Sequence, residues 1–172
     1  MTRLFGLPPL VSANTRILVL GSFPGAASLA AQQYYGHPKN QFWRILQAFY
    51  ASDAHPICAR SYENRSKWML SHGVGLWDVY ASCERQGSLD SQIRNPEVND
   101  FAALRQRCPQ LQAVAHNGAM SFRHAAQLQN LGLPTVRLPS TSPAHASWSF
   151  ERKLAAWRDV FTHYGLIELN GP

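Results

Sequence analysis

RILVLGSFPGAASLAAQQYYGHPKNQFWRIL, residues 16–46, carries a strand, a turn and the start of a helix in one short stretch. Ile17 to Leu20 is an unbroken β-branched and aliphatic run, the pattern of a strand covered on both faces. Gly21, Pro24 and Gly25 then stop the run and turn the backbone sharply. An aromatic and polar loop follows, Tyr34-Tyr35-Gly36-His37-Pro38-Lys39-Asn40, before Phe42, Ile45, Leu46 and Phe49 recur at helical spacing. Ligands of open α/β sheets bind outside the carboxyl ends of the strands, so this stretch is expected to build a pocket for a flat ring.

Working outward, residues 59–71 read as a second helix ending at His72-Gly73, and VGLWDVY, residues 74–80, as a second strand. The polar run ERQGSLDSQIRNPEVND, residues 84–100, is too long for a tight connection and reads as a functional loop. Asp100 is placed to cap a helix over 101–108. Residues 111–115 form a third strand, and 119–129 a helix closed by Gly132. Residues 135–138 form a fourth strand. The Ser, Thr and Pro-rich segment 139–147 precedes a helix striped by Phe150, Leu154, Trp157 and Phe161, with Ser147 placed to cap it. Four strands alternating with helices predict a three-layer α/β/α sandwich around a four-stranded parallel sheet, one domain spanning 1–172. No internal repeat or linker interrupts it.

Of 172 residues 45% are hydrophobic and 15% charged, a globular composition. The net charge of +6 and a pI near 9.6 favour a polyanionic partner such as nucleic acid. Cys58, Cys83 and Cys108 form no Cys-x-x-Cys pair, which argues against a disulfide framework and for a reduced, cytoplasmic setting. The histidines show neither HExxH nor H-x-x-x-H spacing, so no metal and no cofactor are expected. The apolar stretches 4–11 and 17–31 are broken by prolines, glycine or serine, so no membrane association is expected, and a monomer is the default.

Strand ends of a parallel sheet share one edge, which brings 21–40, 77–90, 116–118 and 140–147 together. That edge would collect ring-stacking side chains (Phe23, Tyr34, Tyr35, Phe42), amides (Asn40, Asn117), hydroxyls (Ser22, Ser140, Thr141, Ser142) and imidazoles (His37, His116, His145), a mixture suited to gripping a planar heterocycle.

At these residues the chain resembles the uracil-DNA glycosylase superfamily, and within it the hypoxanthine-DNA (deoxyinosine) glycosylases. The likeness runs nearly the whole length: the G-S-F-P-G turn at 21–25 with Y-G-H-P-K-N-Q-F-W at 35–43, then 75–101, then LPSTSPAHAS at 138–147. It implies an enzyme that flips a deaminated base, hypoxanthine foremost, out of DNA and hydrolyses its N-glycosidic bond; Lys39 is the only lysine near the pocket motif and nothing marks it as an amine nucleophile, so the enzyme is expected to be monofunctional. It also implies that fold's three-layer architecture. Flipping costs a few kcal/mol, least at damaged or mismatched pairs, and must be offset by stacking and phosphate contacts.

The resemblance further assigns roles. Asn40, in the H-P-x-N segment, corresponds to the catalytic residue. An amide has no useful basicity at neutral pH, so it would orient the attacking water rather than deprotonate it. Gly21, Ser22, Phe23, Tyr35 and Asn117 would bind the base, with Tyr35 stacking on it and Asn117 reading its edge. Ser140 and Ser142 would contact phosphates, and Pro143 to His145 would enter the duplex.

Structural readings stand beside each of these. Asn40 is a good helix cap, Asn117-Gly118 a turn, Tyr34 or Tyr35 a core aromatic, and Asp78 and Asp90 orienting acids rather than catalysts. His116 could pair with the base or a phosphate, or be structural. Mismatch-specific uracil and thymine glycosylases carry Asn in the first turn where this chain has Phe23, which argues against that alternative. A non-catalytic nucleic-acid-binding module of the same fold is the other. An esterase or P-loop enzyme lacks its motif here.

Overall fold

The computed structural model describes residues 2–51 and 54–169. In chain order the elements are β1 (Arg3–Phe5), β2 (Ile17–Gly21), α1 (Ala26–Ala31), α2 (Phe42–Tyr50), α3 (Tyr62–Ser71), β3 (Val74–Asp78), β4 (Tyr80–Glu84) and β5 (Arg94–Val98). There follow α4 (Leu104–Arg107), β6 (Ala113–Asn117), α5 (Ala119–Phe122), α6 (Ala125–Gln129), β7 (Thr135–Leu138) and α7 (Phe150–His163).

The central sheet is parallel throughout, in the order β3-β2-β6-β7. Every residue of β2 is buried, and its side chains divide by the two-residue period of a strand. Ile17 and Val19 join Trp43, Ile45, Leu46, Trp157 and Phe161 from α2 and α7 on one face. Leu18 and Leu20 join Phe101, Leu104, Leu128 and Leu133 on the other. Two separate cores on opposite faces of one sheet make the sandwich that the apolar run predicts.

The second strand differs from its expected course. It leaves the central sheet after Asp78, because Val79 and Tyr80 donate their N–H groups to the carbonyls of Gly21 and Ser22 at 2.8 and 3.0 Å, following the turn. The chain then enters a second, antiparallel sheet, β1-β4-β5, which the sequence reading did not contain. Its edge strand β5 lies within the supposed loop 84–100. Every residue of β5 is exposed, Pro96 stands in it and Asn95 has φ 47°, so no apolar alternation marks it.

Four helices also differ in extent or cap. The helix expected over 101–108 forms only at α4, and the one over 119–129 divides at Arg123-His124, where the His124 ring meets the Tyr80 hydroxyl at 2.9 Å. α3 starts at Tyr62 rather than at residue 59, because the Ser61 hydroxyl accepts the Asn64 N–H. Ser149, not Ser147, caps α7, accepting the Arg152 N–H at 3.1 Å. The third strand is shifted to 113–117, which carries Asn117 to the sheet edge.

Candidate active site

At the carboxyl edge of the central sheet lies a cavity of about 430 Å³, within the range of small-molecule sites. Gly21, Ser22, Phe23, Tyr35, Asn40, Asn117, Ser140, Ser142, Pro143 and His145 all line it. The parallel register explains the gathering. Gly21 pairs with Asp78 and Asn117 with Leu138, so the segments leaving β2, β3, β6 and β7 emerge side by side.

The turn after β2 is laced to the segment after β4. Arg85 donates to the Pro24 carbonyl at 2.6 Å, Ser22 Oγ donates to Asp90 Oδ1 at 2.7 Å, and Ser88 Oγ accepts the Ala26 N–H at 2.9 Å. Phe23 is buried, with the Arg85 guanidinium 5.2 Å from its ring centre. Leu89, Asp90 and Ser88 thereby join the cavity wall.

The paired tyrosines have different anchors. Tyr34 is held in the core: its hydroxyl donates to the Pro8 carbonyl at 2.8 Å, and its own carbonyl accepts the Trp43 indole N–H at 3.2 Å. Tyr35 sits in the left-handed region at φ 54°, its ring 4.4 Å from that of Phe42. A non-glycine residue in that region marks a conformation imposed by its surroundings. Burial and the neighbouring Asp78 push both phenols well above their usual range, so they stay protonated donors.

Asn40 does serve the helix start. Its Oδ1 accepts the Phe42 N–H at 3.0 Å, and its own N–H donates to the His37 carbonyl at 2.9 Å. Among the described residues its amide Nδ2 makes no hydrogen bond, so the turn fixes the carboxamide at the cavity wall while leaving its donor face unspent. His37 shapes this loop, its Nδ1 accepting the Lys39 N–H at 3.0 Å.

Asn117 is more heavily committed. Its Nδ2 donates to the Tyr35 hydroxyl at 3.1 Å and to Thr141 Oγ1 at 3.0 Å, while its Oδ1 accepts the Thr141 N–H at 3.0 Å. One lone pair of Oδ1 remains for a ligand. The turn conformation belongs to Gly118, at φ 102°, where a Cβ would stand 3.2 Å from that of Ser140. His116, by contrast, is wholly buried and lies outside the cavity lining, its Nδ1 2.8 Å from Ser121 Oγ. Burial drives it down to about 4, so it is a neutral core residue rather than a contact to base or phosphate.

The 139–147 loop is ordered by its own polar groups. Ser140 Oγ accepts the Ser142 N–H and Ser142 Oγ accepts the Ala144 N–H, at 3.1 and 3.2 Å, which leaves both hydroxyl protons to donate outward. The buried Lys153 donates to the His145 carbonyl at 2.6 Å, and Pro143 and Ala144 form the exposed tip. Burial and the nearby Lys153 and Arg137 charges keep the His145 imidazole below its usual range.

The residue that sequence reasoning underrated is Asp78. It is 5% exposed, lines the cavity, and its Oδ2 has no hydrogen-bond partner among the described residues. Burial and the Asp90 carboxylate raise it to about 7, against a smaller opposing pull from Arg85. Met120 and Arg123 at the rim were not singled out either, since nothing in their own segment distinguishes them. Among the described residues no three His, Cys, Asp or Glu side chains cluster as a metal site, and no helix is long and apolar enough to cross a membrane.

A parallel α/β/α sandwich with a polar and aromatic cavity at its strand ends is an architecture able to hold a flat ring. The model of the uracil DNA glycosylase superfamily matches residues 8–161, and the chain belongs to that superfamily. It is 37% identical over 156 residues to a protein of Methanosarcina barkeri (strain Fusaro / DSM 804) named hypoxanthine DNA glycosylase, covering 91% of this chain and 96% of that one. A protein of the same name from Methanosarcina acetivorans is 37% identical over 158 residues, with 92% and 98% covered. The solution NMR structure of a proposed uracil DNA glycosylase from M. acetivorans superposes with a TM-score of 0.82 at 36% identity, covering 95% of this chain and 99% of that one.

Proposed function

We propose that the chain is a monofunctional DNA glycosylase that takes a deaminated base, hypoxanthine foremost, out of the duplex and hydrolyses its N-glycosidic bond. The observation that carries this reading is near-full-length identity to two proteins named hypoxanthine DNA glycosylase, in a chain whose cavity holds Asn40, Tyr35 and the 139–147 loop together.

Each part has a task. The Ser140 and Ser142 hydroxyls donate to backbone phosphates, and the Pro143 tip fills the space the base vacates. Tyr35, braced by Phe42, offers its ring to the flipped base, with the Gly21–Phe23 turn and the free Oδ1 lone pair of Asn117 at its edges. Asn40 holds water against C1′ of the sugar. The sugar becomes cationic as the bond breaks, and the surrounding phosphates stabilise it. Phe23 has no group to hold a water, which separates the site from glycosylases that place an amide there. Lys39 is exposed and shows no sign of a desolvated amine nucleophile, so water is the acceptor of the sugar.

The test is a base-release assay on duplexes carrying one deoxyinosine or one deoxyuridine, abasic sites being cleaved with alkali. Inosine-dependent strand breaks support the reading. Breaks only at deoxyuridine would move the assignment to a uracil-directed enzyme, and DNA binding with no breaks at either base would make the chain a binding module. The reading takes the chain as a cytoplasmic monomer; light scattering of the purified protein tests its size.

A further inference from the structure

Asp78 ends β3 opposite Gly21, and a Cβ on Gly21 would stand 2.5 Å from Asp78 Oδ1. Glycine at that position is what lets the carboxyl lie against the strand end at the cavity floor. The charged and titratable groups facing it are Asp90 in the turn at 90–92, Arg85 after β4, and the phenols of Tyr34 and Tyr35 from the loop before α2. No ion pair to Asp78 exists among the described residues. Arg85 instead directs its guanidinium at the carbonyls of Gly87 and Pro24. A buried carboxylate with an unpartnered oxygen is expensive, whereas the neutral acid is not. These surroundings therefore favour a carboxylic acid at Asp78, beside the amides of Asn40 and Asn117 and the hydroxyls of Ser22, Ser140 and Ser142 in the same cavity.

We propose that Asp78 is the acid that protonates the leaving purine, delivering its proton to N7 as the N9–C1′ bond breaks. This rests on the glycosylase reading above. The electron pair of the broken bond stays with the base, the Asp78 proton goes to N7, and the base departs as neutral hypoxanthine rather than as an anion. Water held by Asn40 adds to C1′ and releases its extra proton to solvent, and the Asp78 carboxylate takes a proton back from solvent once the base has left. The assignment fits a purine in particular, because its imidazole ring offers a basic nitrogen across from the bond that breaks. The position near 7 to which burial raises Asp78 suits an acid working at neutral pH.

Single-turnover release of hypoxanthine from a deoxyinosine duplex, measured from pH 5.5 to 9 for the wild type and Asp78→Asn, tests this. The wild-type rate should fall about tenfold per pH unit above the Asp78 pKa. The variant should be slower at pH 6 by about 10²–10⁴-fold, with a flat profile and duplex affinity within about threefold of wild type. A variant that keeps the wild-type pH dependence, or stays within about threefold of its rate at pH 6, would overturn the assignment. If the variant does not fold, ¹³C NMR of the wild-type Asp78 carboxyl decides. Titration in step with the rate supports the assignment, and a carboxyl already ionised where the enzyme is fastest overturns it. Failure of the wild type to release any hypoxanthine would overturn the glycosylase reading itself, and the acid with it, and is distinguishable from a change confined to the variant.

Discussion

Asn117 and Tyr35, 82 residues apart, are joined by a hydrogen bond of 3.1 Å from the Asn117 carboxamide to the Tyr35 hydroxyl. The same carboxamide grips Thr141 twice, so one side chain ties the aromatic loop after β2 to the loop after β7. The Asn117 amide thus joins the two walls of the cavity, beside a backbone bond from the Gln41 N–H to the Thr141 carbonyl at 3.0 Å.

Asn117→Ala should loosen both walls. Three hydrogen bonds disappear and the Thr141 N–H is left buried without its acceptor, at a cost of about 1–3 kcal/mol. Tyr35→Phe removes one bond, keeps the ring, and should cost about 1 kcal/mol. Urea denaturation with base-release rates checks both: the Ala variant should lose more rate than the Phe variant, and equal losses would contradict the clamp.

Gly21→Ala places a Cβ where Asp78 Oδ1 now lies, 2.5 Å away. The carboxyl or the strand end must shift, at about 1–3 kcal/mol for an overpacked site. Thermal unfolding should show a lower Tm, and base release should fall more than stability alone explains. An Ala variant with wild-type Tm and rate would contradict the close approach.

Stability should depend on pH through Asp78. An ordinary aspartate titrates near 3.8, whereas in the fold Asp78 is raised to about 7. Between those values the folded chain holds a proton at Asp78 that the unfolded chain has lost, so the stability this group contributes declines as pH rises from about 4 to 7, by up to about 1.4 kcal/mol per unit. Asp90 is raised as well and adds the same sign. Buried His116, held down to about 4, adds the opposite sign below about 6.5, so the Asp78 share is read by comparison: the stability at pH 5 minus that at pH 8 should be more positive in the wild type than in Asp78→Asn, and equal differences would contradict the raised carboxyl.

Lys153→Met should spare the fold and weaken the DNA-facing loop. Lys153 is 2% exposed and its amine binds the His145 carbonyl. Exchanging a buried cation for an apolar chain of like size is often neutral for stability. Duplex affinity should drop several-fold with little change in Tm; a large loss of Tm would make the lysine a core support instead.

Much of this was legible in the chain, for identifiable reasons. Ile17 to Leu20 is apolar without alternation because it has a core on each face, and that pattern survives in sequence. The gathering of Asn40, Asn117 and Ser140 follows from parallel connectivity alone. β5 was not legible: RNPEV is exposed along its whole length and meets its neighbours through its backbone and polar contacts such as Ser82 to Glu97 and Asn95 to Glu84, which leave no apolar alternation in the sequence. Asp78 was visible as an acid but not as a buried one, since its burial comes from the turn at Gly21 and the loop carrying Tyr34 and Tyr35. Nor does sequence separate Tyr34 from Tyr35; the positive φ of Tyr35 and the carbonyls that hold the Tyr34 hydroxyl do so.

The most direct measurement is the rate of base release from a deoxyinosine duplex by the wild type and by Asn40→Ala, with a deoxyuridine duplex alongside. Release of hypoxanthine by the wild type, at least about 10²-fold slower in a folded variant that still binds the duplex, is the expected result. Release that is undiminished in Asn40→Ala, or confined to uracil, would contradict the account.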